Sequence, residues 1–567
     1  MLRTLHFTAA CLFAASLGSL SYLAAEDGRD FEGRNGIHRV LLISIDGMHA
    51  LDYENCVKTG TCPNLAALGK HGVTYTRAST SKPSDSFPGL MALVTGASPK
   101  THGAFYDVAY DRTLAPPQIT TGNGVAGGPC SQIGTRTEYE EGDDFDQTKL
   151  NGGGPYGPTG GGYLSINPAR LPRDPNKPDK TYGCAPVYPW NFIRANTIYG
   201  VVHAANGYTA WSDKHGAYAA VSGPTGTAIP SNVDDYYSPD VNSNQVSLPG
   251  IITAGTNFSC KGINPSSNDW TTDFQAIQCY DQLKVNAILN EIDGKTHDGL
   301  KAQVPNLFGM NFQAVSVGEK LIENGVKGGY TNAAGNPTAE LLSEIKFVDA
   351  AIGQMTDELQ EQHLLDSTLI IITAKHGQSP IDTNKFFEPS TTPATLLGAA
   401  GLLPDSEVNG IGSTEDDISL LWLNHGSDVP AAVAILEANA GPNKANPSAP
   451  PGAAIGEIFY GPSLGTMFNL PPPYGTDSRT PDIIVQPNVG VIYSGSSKKQ
   501  EEHGGFAHDD TNVMLLVSNP NLDTVTVTSA VETTQVAPTI LYYLGLDPNS
   551  LQGVQKEGTP LLPDIGL

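Results

Sequence analysis

The 567-residue chain carries 58 Asp and Glu against 32 Lys and Arg, a formal charge of −26, and 39% of its residues are hydrophobic. Phosphate neutralisation needs a basic face, so this balance argues against a nucleic-acid partner and disfavours an anionic membrane surface. The length suits one large domain with insertions, or two ordinary ones, and permits a substantial core.

Residues 1–25 open with Arg3, continue through the apolar run from Ala9 to Leu23 and end in Ala24-Ala25, the pattern of a secretory signal peptide. Ser16, Gly18, Ser19 and Ser21 interrupt the run, which makes it a poor membrane anchor, and no later stretch is long and apolar enough to span a bilayer. A soluble, secreted protein is expected, with residues 26–567 forming a single domain. Without Cys11, six cysteines remain, an even number that fits an oxidising compartment. Cys56 and Cys62 enclose a short turn and are the best pair; Cys130 with Cys184 and Cys260 with Cys279 complete a sequential set, one of about fifteen connectivities. No C-x-x-C spacing supports a zinc-thiolate cluster. Asn257-Phe258-Ser259 is a glycosylation sequon in a loop-like stretch.

Residues 38–45 (HRVLLISI) form a continuous apolar run, typical of a strand buried on both faces, which delivers Asp46-Gly47 to its carboxyl end. A helix near 63–70 and a strand at 73–78 follow. Residues 86–96 (SFPGLMALVTG) read as a helix that starts at Ser86 and stops at Gly96. From about 112 to 191 the composition turns to Gly, Pro, Asn and Asp, an insertion rather than a sheet-forming region, tied by Cys130 and Cys184. A helix from 196 and a strand at 208–211 lead to Asp213-Lys214-His215. The periodic segment 338–363 is a helix that feeds the β-branched strand of 367–373, which ends in Lys375-His376-Gly377. Strands are expected at 481–485, 489–493 and 511–517, a helix at 536–544, and a plain loop at 443–451. Alternating strands and helices predict an α/β fold with a mostly parallel central sheet covered by helices on both faces.

Four separated elements thus end in reactive groups: Asp46, Ser86, Lys375-His376 and Glu502-His503. A helix amino terminus favours an alkoxide and attracts phosphate or sulfate, although a serine there is more often a cap. Together IDGM, SFPGLMALVTGASPKTHG, the strand-end KHG and EHGGF resemble the alkaline phosphatase superfamily, and within it the type I phosphodiesterase/nucleotide pyrophosphatase family. The resemblance extends to VAPTILYYLGLDPNSLQG near the end of the chain. It implies an alkaline-phosphatase-like fold and a phosphorylated Ser or Thr flanked by zinc ions. Asp46, Ser86 and His376 match positions at one metal and His503 a ligand at the other. Ser86, nine residues before Thr95-Gly96, is the matching nucleophile; Ser81 and Ser84 are loop serines. Leu90 stands where a sulfatase would carry arginine.

The departures bear on the chemistry. Lys375 replaces the aspartate expected before His376, Gly89 replaces an asparagine that touches the phosphoryl group, and the nearest counterpart of the second metal's Asp and His pair, NFQAVSVGEK at 311–320, contains neither residue. The Lys375 ammonium either substitutes for part of a missing metal charge or forms an ion pair with Asp46; Lys320 admits the same two readings. Asp213 and His215 are possible additional ligands, Asp509 and Asp510 are ligands or caps, Glu502 is a possible orienting partner of His503, and His102 buttresses the chain after the Ser86 helix. The expected cofactor is a divalent metal, zinc by resemblance, in a site reduced to as few as one ion. The expected activity is hydrolysis of small phosphodiesters or pyrophosphates through a Ser86 phosphoenzyme. The alternative is an inactive member that binds a phosphorylated or glycan ligand. Oligomeric state is not specified.

Overall fold

The structure is a computed structural model and describes residues 31, 33–139, 162–243, 250–263, 269–405, 413–441, 452–494, 496 and 498–566. The leader at 1–25 and the loop at 443–451 lie outside the described residues.

The hydrophobic run after His38 forms β1 (Arg39–Ile45) at the centre of an eight-stranded sheet. Its companions are β2 (Gly72–Tyr75), β3 (Ala210–Ser212), β4 (Asp235–Tyr237), β5 (Leu307–Phe312), β6 (Thr368–Thr373), β7 (Leu515–Ser518) and β8 (Val525–Val527), and the order across the sheet is β8-β2-β7-β6-β1-β5-β3-β4. Only β7 runs against the rest, pairing antiparallel with both β6 and β2. The strands β6, β1, β5, β3 and β4 form a continuous parallel block.

Alternate residues of β1 enter different cores. Leu41, Ile43 and Ile45 pack with Tyr280 and Phe347, whereas Val40 and Leu42 pack with Phe87 and Ile540 on the opposite face. Each such fully buried aliphatic side chain contributes roughly 1.5–3 kcal/mol, so β1 anchors both layers. Helix α1 (Ala50–Thr59) adds Tyr53 and Cys56 to the first core, while α2 (Ser86–Thr95) supplies Phe87, α3 (Phe274–Ile292) Tyr280, α4 (Ala339–Glu361) Phe347 and the helix Val536–Tyr543 Ile540. The expected α/β sheet with helices on both faces is what the chain forms. All three sequential disulfides are present: Cys56–Cys62, Cys130–Cys184 and Cys260–Cys279. Among the described residues no helix is long and apolar enough to cross a membrane.

Several local expectations require correction. The segment 73–78 does not continue as one strand: β2 ends at Tyr75, and Ala78–Ser79 pairs separately with Val531–Glu532. The described part of the insertion does form sheet, as antiparallel pairs of Val108–Asp111 with Thr135–Glu138 and of Arg173–Asp179 with Gly183–Pro186. Residues 489–493 are not a strand; the strand Ile483–Pro487 stops at its proline, and Gly490 turns the chain at φ +87°. Residues 508–511 form a helical turn, so β7 starts only at Leu515. Ile483–Pro487 belongs to a second, four-stranded antiparallel sheet with Thr414–Glu415, Ser419–Leu421 and Ile455–Tyr460, over a separate core that includes Leu397, Leu421 and Val485.

Candidate active site

Parallel strands that lie side by side end at the same edge of a sheet, and chemistry collects there. Four neighbours do this here: β6 delivers Lys375 and His376, β1 delivers Asp46, β5 ends in Asn311, Phe312 and Gln313, and β3 delivers Asp213 and Lys214. The backbone seals the edge, with Asp46 N–H donating to Phe312 O at 3.0 Å and Gly47 N–H to His376 O at 3.1 Å.

Helix α2 brings Ser86 to this edge. Its N-cap is Asp85, whose carboxylate accepts from Phe87 N–H at 3.0 Å, so Ser86 is the first helical residue and its hydroxyl is free of capping duty. Gly96, at φ 69°, closes the helix. A Cβ on Gly89 would overlap the carbonyl oxygen of Lys375, so only glycine lets α2 approach β6 this closely. The expected asparagine has no room there.

Ser86 Oγ lies 3.1 Å from His376 Nε2, 3.3 Å from Asp46 Oδ2 and 3.2 Å from the Lys214 ammonium, which donates to it. His376 Nδ1 lies 3.1 Å from Gly377 O, so its N–H donates there and leaves the Nε2 lone pair facing the serine. Burial pulls the His376 imidazole below its ordinary pKa, and Lys214 adds to this, against the opposing attraction of Asp46. Burial would push the Asp46 carboxyl up, but Lys375, His376 and Lys214 outweigh it and hold the group well below the usual range.

Asp46 also accepts from two amides: Asn311 Nδ2 donates to Oδ1 at 2.8 Å and Gln313 Nε2 to Oδ2 at 2.6 Å. Lys375 is completely buried and reaches Asp46 only at 3.9 Å; its main partner is Asp213, both of whose carboxylate oxygens lie 3.1 Å from Nζ. The ring of Tyr218 lies 4.3 Å from the same ammonium. Burial lowers the Lys375 pKa, while Asp213 and Asp46 oppose the shift.

The ring of His503 lies beside that of His376, 4.0 Å between centroids, and its Nδ1 is 3.6 Å from Asp85 Oδ1. Burial, with His376 and Lys320 as the next causes, keeps His503 well below its ordinary pKa. Burial also raises Asp85 to about 7. Glu502 pairs with Lys499. His215 turns to Asp240 at 3.4 Å and stacks on Tyr218, while Asp213 serves as an ion-pair partner. His102 is buried and accepts from Ala104 N–H at 3.2 Å. The Asp509 carboxylate accepts from Ile381 N–H at 3.1 Å. Asn257 is exposed in a turn at φ 52°.

Asp46, Ser86, His376 and His503 therefore converge, but as a donor set for a divalent ion they do not fit. The position expected to carry a carboxylate holds an ammonium, a second ammonium sits on Ser86 Oγ, and both Asp46 oxygens already accept from amide N–H groups. The sequence points to Lys214 only within the strand-end triplet Asp213-Lys214-His215, as a possible source of ligands or an acid, and gives Asn311 and Gln313 no role. Their only signal was polar residues directly after short apolar runs, in TAWSDK and LFGMNFQ.

Fold and site together define an α/β protein whose nucleophile-like serine, imidazoles and ammonium groups meet at the carboxyl edge of a parallel block. The sequence matches the profile of the type I phosphodiesterase/nucleotide pyrophosphatase family over residues 40–136 and 325–509, and the chain belongs to that family. The matched parts carry Asp46, Ser86, Lys375, His376 and His503; Asp213, Lys214, Asn311 and Gln313 lie in the unmatched stretch between them. The fold is similar to that of murine ectonucleotide pyrophosphatase/phosphodiesterase 5, with TM-score 0.50 at 15% identity over 90% of this chain and 96% of that one. The human ectonucleotide pyrophosphatase/phosphodiesterase 5 gives 0.48 at 14% identity over 93% and 100%. No curated protein matches the sequence significantly.

Proposed function

We propose that the protein is a secreted hydrolase of small phosphodiesters or pyrophosphates that uses Ser86 as nucleophile and two lysine ammonium groups where its relatives by resemblance use metal. The observation that carries this reading is the contact of Ser86 Oγ with both His376 Nε2, at 3.1 Å, and Lys214 Nζ, at 3.2 Å. Ser86 Oγ attacks phosphorus and its proton passes to His376 Nε2; the Lys214 ammonium faces the developing negative charge, supported from behind by Lys375. The P–O bond to the leaving group breaks, the proton on His376 passes to the departing oxygen, and phosphoserine remains. Water then attacks that phosphorus and gives a proton to the now neutral His376, which returns it to Ser86 Oγ as the P–O bond to the serine breaks. Three disulfides, and a sequon in an exposed turn at Asn257, support an extracellular setting.

The experiment is turnover of bis-p-nitrophenyl phosphate by Ser86→Ala. Loss of at least about a hundredfold with an unchanged melting temperature is expected; unchanged turnover overturns the reading. One observation favours the alternative of a binding protein: Ser86 has no solvent exposure, and the His503 side chain above it is only 12% exposed. That alternative holds if a phosphorylated or glycan ligand binds at His503 and Lys214 while no ester in a broad panel is cleaved.

A further inference from the structure

Immediately behind Asp46 the chain builds a second polar cluster that the proposed reaction does not use. His49 caps the amino end of α1, where its backbone N–H donates to Asp52 Oδ2 at 2.9 Å, and Glu319 approaches from the helix Ala314–Lys320. Donor atoms of His49, Asp52 and Glu319 come within 4.8 Å of one another, and all three residues are buried.

The Tyr330 hydroxyl joins them. His49 Nδ1 lies 2.9 Å from Asp52 Oδ2, 3.3 Å from Glu319 Oε1 and 2.8 Å from Tyr330 Oη; Tyr330 Oη is 3.0 Å from Asp52 Oδ2 and 2.9 Å from Glu319 Oε1. Four-coordinate zinc with bonds of about 2.0–2.1 Å separates its ligand atoms by roughly 3.3 Å, a span that these five separations approach to within about half an ångström.

The Tyr330 hydroxyl has one hydrogen to give, yet it faces two carboxylates and an imidazole nitrogen. Glu319 Oε2 has no hydrogen-bond partner. A third carboxylate, Glu501, is fully buried with neither oxygen bonded, and its charge acts on Glu319, His49 and Asp52. Burial opposes charge on the His49 imidazole, but Glu319 and Asp52 hold it well above its ordinary pKa, so a proton on His49 is the positive charge that a metal cation would replace.

The remaining ring nitrogen, His49 Nε2, lies 2.9 Å from Gln378 O and 3.1 Å from Gln378 N, so the group at Nδ1 decides which of them it bonds. A metal at Nδ1 selects the Nε2–H that donates to the carbonyl, the arrangement that ordinarily orients a ligating histidine. A surface cavity of about 410 Å3 has His49 in its wall, with Glu54, Asp382 and Asp509 and also Lys385 and His508 around it.

We propose that His49, Asp52, Glu319 and Tyr330 bind one zinc-type divalent ion, with Glu501 as the outer carboxylate, and that this ion holds β1, α1 and the Glu319 helix together rather than taking part in turnover. Binding displaces the protons that otherwise occupy the cluster.

The test strips the full-length protein with chelator and returns zinc or cobalt. Elemental analysis is expected to give one ion per chain and a raised melting temperature, the cobalt form the visible spectrum of a four-coordinate site, and X-ray absorption one imidazole nitrogen among oxygen ligands. Asp52→Asn and Glu319→Gln are expected to weaken zinc by more than the roughly 10- to 100-fold lost with an outer partner, and Ser86→Ala is expected to retain it. No uptake of either metal, undiminished affinity in both carboxylate variants, or loss of the ion in Ser86→Ala overturns the proposal. Should the carboxylate variants fail to fold, the absorption spectrum of the unaltered protein decides: several nitrogen ligands, or none, exclude this site.

Discussion

Lys214 Nζ donates to Ser86 Oγ at 3.2 Å across 128 residues of sequence, which puts a fixed positive charge on the hydroxyl that leads helix α2. A hydroxyl held this way has its oxyanion stabilised before substrate arrives. In the proposed reaction the neighbouring His376 imidazole is the base.

The pH profile tests that division of labour. His376 acts only when neutral, and burial with the Lys214 charge depresses its pKa, so kcat/KM should hold as pH falls past the ordinary histidine value of about 6.5 and drop only below it. Lys214→Met removes a charge that depresses His376, so the acid limb should move upward while the maximal rate falls. A limb that starts at or above 6.5, or one that Lys214→Met leaves in place, rules out His376 as this base.

Lys375 and Asp213 form a pair with no exposed side-chain surface. Lys375→Met should therefore destabilise the protein by about 3–5 kcal/mol in urea unfolding, because it strands a buried carboxylate. Adding Asp213→Asn should recover at least about 1 kcal/mol of that loss, since the stranded charge is removed. Equal stability of the single and double variants would show that the two groups do not interact.

Turnover should survive chelation. Loss of a catalytic ion removes several kcal/mol of transition-state stabilisation, about a hundredfold or more in rate, whereas a site that relies on Lys214 and Lys375 should change by no more than about threefold. Assay below the melting temperature of the stripped protein separates this from loss of the ion proposed at His49. A hundredfold fall, restored by zinc at unchanged stability, would place a metal at Ser86.

Gly89 offers a test of packing. An added Cβ would overlap the carbonyl oxygen of Lys375, so Gly89→Ala should destabilise by about 1–3 kcal/mol and displace α2 from the strand ends. Wild-type stability together with wild-type turnover would mean that the close approach of α2 to β6 is not required.

Much of this architecture is legible in the residues themselves. The unbroken apolar runs of β1 and β6 can be satisfied only by burial on both faces, and each ends in a reactive group, which places Asp46 and His376 at strand ends. The glycine after Thr95 and the polar stretch before Ser86 bound α2 to within a residue. Helix α3 went unread because Gln278, Asp281, Gln282, Lys284 and Glu291 are buried among its apolar positions and blur the stripe. The short strand β5 carries Gly309 in its middle and has the same effect on periodicity.

What sequence alone determined is the strands that lead to Asp46 and His376, the helix that starts at Ser86, and the family, because hydrophobic period, turn chemistry and motif spacing are local properties. Which partners surround that serine was decided only by the order of strands across the sheet. Lys214 follows β3 and the amides of Asn311 and Gln313 close β5, so nothing along the chain announces their meeting with Asp46; parallel pairing of β1, β5 and β3 brings them to one edge. The assignment of Lys375 to Asp213 rather than to Asp46 has the same origin, since a buried ammonium takes the carboxylate that the sheet sets within reach.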